Sequence, residues 1–230
     1  LNVKRVSMVT YGLGMRCTME AKQDEQYGML RRLAEALGRA FRIKEEIEAM
    51  NTLNLGFTTV LATGYDGLAL FSASHPIRGT AFSPTTTNIS ALPARSVTTN
   101  SNLLTAADLD YTSLTDMLTL FMRQVDETGD YVSISPRNVI VAPENWWVLQ
   151  ELLKSNMRPD TANNAVSTIF NLNLRPIMSQ YLIDQDAWFM MADKGSHDLM
   201  FFDRMPFTVQ SEDHFDTGDT LMKGIRRFGI

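Results

Sequence analysis

Ser72 and Ser74 stand directly before His75 in the stretch LALFSASHP, Leu68–Pro76. A serine beside a histidine is the pairing that activates a hydroxyl as a nucleophile. The context argues against that chemistry. A hydrolase serine usually sits on a tight strand-to-helix turn of the form G-x-S-x-G, and no such motif is present. Pro76 biases His75 towards extended or turn structure, and adjacent residues of an extended strand point to opposite faces. The stretch reads as a loop whose serines and histidine form turns and hydrogen bonds, with a Ser/His hydrolase as the remote alternative.

Other reactive-looking residues fare no better. EDHFDTGD gathers Glu212, Asp213, His214, Asp216 and Asp219, but lacks the D-x-D-x-D-G order and terminal glutamate of a calcium loop. It reads as an acidic turn between strands. His197, beside Gly195 and Ser196, reads as a surface turn residue. No phosphate loop or dinucleotide turn is present. Trp146 and Trp147 open an amphipathic helix, so one indole is expected in a core and the other at a contact surface. The expected catalytic, metal and cofactor sets are therefore empty.

Composition sets the class. The 230 residues are 44% hydrophobic and 20% charged, with net charge −5. That is globular composition, and the acidic balance disfavours a protein that coats nucleic acid. Cys17 is the single cysteine, which excludes an internal disulfide. No apolar run approaches the ~20 residues of a membrane span. Fourteen methionines suit ordinary core filling and surfaces that repack.

The elements follow from periodicity. Leu13, Met15, Cys17 and Met19 alternate as one face of a half-buried strand, which needs a partner because a lone strand leaves its backbone unsatisfied. From Asp24 to Met50, Leu30, Leu33, Leu37, Ala40, Phe41 and Ile47 mark the stripe of a helix roughly 40 Å long. Glu45, Glu46 and Glu48 crowd its C-terminal end, where acids are disfavoured. They are either a solvated face or a patch for basic residues, Lys4, Arg5 or Arg16, on a neighbouring copy. Residues 79–102 read as loop or ragged β structure. A second helix runs from Thr112 to Asp126, capped by Thr112 or Ser113 and stopped at Gly129. NVIVAP is a short buried strand, and Pro143 opens a third helix to Ser155. AWFMMAD, DLMFFD and PFTVQSE read as strands of a meander, the last two separated by Arg204–Pro206. TLMKGIRRFGI is a final strand that stops without a turn.

In this order the segments YGLG, DEQYG, LFSASHP, NLLTAADLD, VIVAPE, ELLKSNMRPDTANN, AWFMMAD, FFDR and DHFDTGDTLMKGIRRFG resemble the major capsid protein of tailed bacteriophages with the HK97 fold. The similarity is strongest to the Mu-like major head subunit group. Each match is weak alone, and together they cover nearly the whole chain.

The resemblance implies an α+β fold. Residues 1–22 would be the second strand of an extended E-loop lying across the adjacent subunit. Residues 23–100 would be the P-domain with its spine helix at 24–50, residues 101–210 the A-domain, and residues 211–230 a return to a P-domain strand. The family's N-terminal arm, first E-loop strand and C-terminal continuation would lie outside this sequence. It also implies pentamers and hexamers of one chain forming an icosahedral virion shell around double-stranded DNA. Scaffolding, portal and decoration proteins would be further partners, with no membrane and no cofactor. Lys4, Arg5, Arg16, Glu45, Glu46 and Glu48 are the candidate inter-subunit contacts. An encapsulin-type compartment, which shares the fold, is the nearer alternative.

Overall fold

The first strand finds its partner at the other end of the chain. In the computed structural model, which describes residues 5–60, 63–64, 66–77, 99–126, 131–158, 166–197 and 199–230, β1 spans Val9–Cys17. A short helix α1, Met19–Gln23, follows, with the Thr18 hydroxyl accepting from the Ala21 amide. The long helix α2 spans Met29–Asn54. Next come β2 (His75–Pro76), β3 (Thr99–Asn100), α3 (Tyr111–Met122), β4 (Pro136–Val141), α4 (Trp146–Lys154), β5 (Arg175–Met178), β6 (Trp188–Ala192), β7 (Phe202–Asp213) and β8 (Thr220–Gly229). The chain forms two compact units, Leu1–Ala49 with Leu199–Ile230, and Met50–Asp198. The fold is α+β.

In the first unit β8 is the centre of an antiparallel sheet of order β1-β8-β7. β1 pairs with it along its whole length, from Val9 opposite Phe228 to Cys17 opposite Thr220. The strand that lacked a partner by sequence is therefore paired within its own chain. Its outer edge carries Val9 and Leu13, both about half exposed. Met19 belongs to α1 rather than to the strand face.

The expected meander loses one strand and one turn, and AWFMMAD, as β6, pairs with β4 rather than with β7. DLMFFD and PFTVQSE merge into β7, whose register shifts between Asp203 and Met205 and again between Met205 and Thr208. Proline cannot donate to a ladder and is tolerated at an irregularity on an edge strand. Pro206 has that position, so the chain bends without breaking.

The long helix differs from its expected bounds of 24–50 at both ends. Gly28 has φ 65°, a left-handed conformation that stops a right-handed helix from passing through it. The Glu25 carboxylate then accepts from the Leu30 amide at 2.6 Å, satisfying one of the open donors of the first turn. At the far end Thr52 and Leu53 are buried, so the helix continues beyond Met50. Leu37 and Phe41 are buried, while Leu33 is 49% exposed. At 100° per residue Leu33 lies about 80° round the helix from Phe41, on the flank of the stripe rather than in it.

The second unit is built on β4, the middle strand of the order β5-β4-β6, parallel to β5 and antiparallel to β6. Its unbroken apolar run serves two cores. Val139 and Val141 join Leu114 and Leu118 of α3 and Leu149 and Leu152 of α4. Ile140 and Ala142 join Leu53, Leu182 and Phe189 on the other side. A strand covered on both faces has no reason to alternate apolar with polar residues.

α3 starts one residue before its expected position and ends at Met122. Asp110, not Thr112 or Ser113, is the N-cap. Its carboxylate accepts from the Ser113 amide at 2.5 Å, and the Ser113 hydroxyl accepts from the Asp110 amide at 2.9 Å. This is a capping box with serine as the third residue of the helix. The expected stop, Gly129, lies outside the described residues. α4 begins three residues after Pro143, at Trp146.

Candidate assembly surface on the long helix and its sheet

Helix and sheet meet at a glycine. Phe41 of α2 and Phe207 of β7 have ring centroids 4.8 Å apart. A Cβ on Gly224 of β8 would lie 2.7 Å from Phe41 and 2.9 Å from Phe207, so only a glycine leaves room for both rings. On the same strand face, two residues along at each step, are Arg226 and Phe228.

These neighbours decide the fate of the acidic end of α2. Arg226 bonds Glu45 of the helix and reaches Asp203 of β7 at 3.1 Å. Arg226 and Glu45 are four-fifths buried. Lys44 pairs with Glu48 at 2.5 Å and stands 5.3 Å from the centre of the Tyr11 ring, which stacks on Phe228 at 4.8 Å. The hydrogen bond to Glu48 raises the pKa of Lys44. Burial, and then the Glu48 charge, raise that of the Tyr11 hydroxyl.

The six sequence-selected residues therefore separate. Glu45 and Glu48 have partners in their own chain. So does Arg16, whose Nε donates to Asp219 at 2.7 Å. Arg5 and Glu46 are exposed, and Lys4 lies outside the described residues. Sequence reasoning missed Arg226, Asp203 and Lys44 as partners, and placed Asp219 in an acidic turn without its pairing to Arg16. The period-2 pattern of GIRRFG put Arg226 on the face of Gly224 and Phe228, which was the one available signal.

Asp219 anchors the turn between β7 and β8. It is buried, and the Thr217 hydroxyl and the Arg16 guanidinium both donate to it. These lower its pKa, the Thr217 hydrogen bond most strongly. The His214 amide donates to the Asp219 carbonyl and the Gly218 amide to the His214 carbonyl, each at 2.8 Å. Gly218, at φ 67°, closes the loop. The result is a fixed tip on which Phe215 is completely exposed. Glu212 and Asp216 are exposed beside it. Among the described residues no group of His, Cys, Asp and Glu is placed to hold a metal ion.

The Ser/His stretch belongs to the second unit. His75 Nδ1 lies 2.6 Å from Asp66 Oδ2, while Nε2 has no hydrogen-bond partner among the described residues. The Ser72 hydroxyl accepts from the Ser74 amide at 3.2 Å; with Nδ1 on Asp66 and Nε2 without a partner, neither serine is paired to the imidazole among the described residues. Burial alone would raise the Asp66 pKa, but the His75 and Leu68 hydrogen bonds outweigh it and hold it below the ordinary value. Asn102 binds the loop from the other side, accepting from the Ser72 amide at 2.8 Å and donating to the Leu70 carbonyl at 2.7 Å. The arrangement is a structural clasp. Trp147 is 77% exposed, whereas Trp146 packs against the core. His197 is only partly exposed, and its Nδ1 has no hydrogen-bond partner among the described residues. No described helix is long and apolar enough to cross a membrane.

No curated protein matches the sequence. Among solved structures, that of Mycobacterium phage Che8 is similar at 15% identity and TM-score 0.48, over 96% of this chain and 65% of that one. The capsid of Ralstonia phage GP4 is similar at 12% identity and TM-score 0.49, over 97% and 68%. Mycobacterium phage Ogopogo gives 12% identity and TM-score 0.40, over 97% and 71%. The chain thus spans just under two thirds of the first of these relatives. The phage capsid protein family matches residues 2–230, almost the entire sequence, and the chain belongs to that family.

Proposed function

We propose that this chain is the body of a major capsid protein of the HK97 type. In this reading it assembles as pentamers and hexamers into an icosahedral virion shell around double-stranded DNA. The observation that carries the reading is the family match across residues 2–230. The first unit, with α2 against an antiparallel sheet, fits the peripheral domain, and β1 fits the base of the E-loop arm. Residues 101–198 of the second unit fit the axial domain. The ordered short segments favour the Mu-like major head subunit group within the family. Arg5 and Glu46, exposed on the first unit, serve as contacts to neighbouring subunits, together with Lys4.

An acidic subunit suits such a shell, because phosphate contacts carry most non-specific affinity for DNA and a strongly adhesive lining would oppose release. The shell role calls for no catalytic step. The test is light scattering on the full-length protein expressed alone: masses of pentamers, hexamers or closed shells support the reading, and a monomer at high concentration removes it.

A further inference from the structure

The pairing of Glu45 and Glu48 within their own chain leaves the opposite face of α2 with a different character from the one the sequence suggested. At 100° per residue, Arg32, Arg39 and Ile43 fall within about 40° of one another, on the side away from the buried Leu37 and Phe41. Met29 and Leu33 lie towards one flank and Arg42 on the other. Met29 is 65% exposed and Ile43 44%. Arg32, Arg39 and Arg42 are exposed and make no ion pair among the described residues, whereas Arg31 pairs with Glu35. The outward face thus combines apolar side chains with a net positive charge, and the exposed Glu46, about 20° round the helix from Arg39, is the acid set among its arginines.

The tip between β7 and β8 has the complementary chemistry. Phe215 is fully exposed, and Glu212 and Asp216 beside it are exposed without ion partners among the described residues. The loop is already fixed through Asp219, Thr217 and Arg16, so little ordering entropy is lost when it docks. Exposed aromatics on rigid supports are the usual anchors of protein interfaces, and opposite charges around them set the register.

We propose that the outward face of α2, formed by Arg32, Arg39 and Ile43, receives the Phe215 tip of a second copy of this chain, with Glu212 and Asp216 meeting the arginines. The proposal rests on the shell reading and supplies one of its contacts. A second copy fits better than duplex DNA, since phosphates would satisfy the arginines and leave Met29, Leu33 and Ile43 exposed.

The test is a charge-exchange cycle in the full-length protein, with shells quantified by light scattering and the fold checked by circular dichroism. Arg32→Glu with Arg39→Glu, and Glu212→Arg with Asp216→Arg, should each lower assembly about tenfold or more. Combining all four should restore it. Phe215→Ala should weaken assembly without altering the fold. If every variant assembles like the parent, the pairing is wrong and the shell reading stands. If the parent itself stays monomeric, both fall. If the arginine reversals spare assembly but abolish a gel shift with duplex DNA, the face serves nucleic acid and the pairing is overturned.

Discussion

Arg226 of the central strand is bonded to Glu45 of the long helix and held from its other side by Asp203. Two of the three glutamates near the C-terminal end of α2 therefore serve the subunit's own fold. Breaking a largely buried pair leaves an uncompensated charge. Glu45→Ala should destabilise the folded chain by about 1–3 kcal/mol, measured by urea unfolding. Glu46→Ala, on the exposed side, should change stability by less than about 0.5 kcal/mol. Reversing Glu45 thus perturbs folding before assembly, and only Glu46 probes a neighbour cleanly.

Asp219 makes the first unit acid-sensitive. Its pKa is depressed by Thr217 and Arg16, so its contribution is complete above the unfolded carboxylate value of about 3.9. That contribution is lost as pH falls through the lower folded value. Unfolding midpoints should therefore decline from about pH 4 downwards. Asp219→Asn should be less stable at pH 7 and decline less steeply below pH 4. Parallel curves for the two proteins would remove Asp219 from this role.

Gly224→Ala adds one methyl where the Phe41 and Phe207 rings already touch. Overpacking of a formed core typically costs about 1–3 kcal/mol. The melting temperature should fall, and near-ultraviolet circular dichroism should report displaced aromatic rings. Phe207→Leu, which opens space, should recover part of the loss in the double variant.

The clasp in the second unit should prove inert chemically and important mechanically. A serine-reactive phosphonate should leave Ser72 and Ser74 unlabelled, read by intact mass. Asp66→Asn removes the charged partner of His75 from a site where the Asp66 side chain is 4% exposed, and should cost about 1–3 kcal/mol. A labelled serine would reopen the hydrolase reading.

The sequence was most informative where a pattern was local. The apolar stripe of α2 through Leu37 and Phe41, the double-sided strand VIVA and the helix after Pro143 each announce themselves within a dozen residues. The partner of β1 was not legible, because it lies some 200 residues away and backbone pairing leaves no mark on side-chain type. The start of α2 was misread because the charged run DEQYG fits a helix N-terminus, and only the left-handed Gly28 shows that the helix begins after it. The acidic patch was visible, but Arg226, the cation that pairs with Glu45, comes from β8 and leaves no local mark. Pairing within the chain took Glu45 and Glu48 out of the apparent docking surface and left Glu46 on it.

The central claim is that this chain closes into shells. Negative-stain electron microscopy of the full-length protein, expressed without other phage components, tests it most directly. The account predicts closed particles or rings of five and six subunits. Well-folded, dispersed single subunits at concentrations where capsid proteins assemble would contradict it.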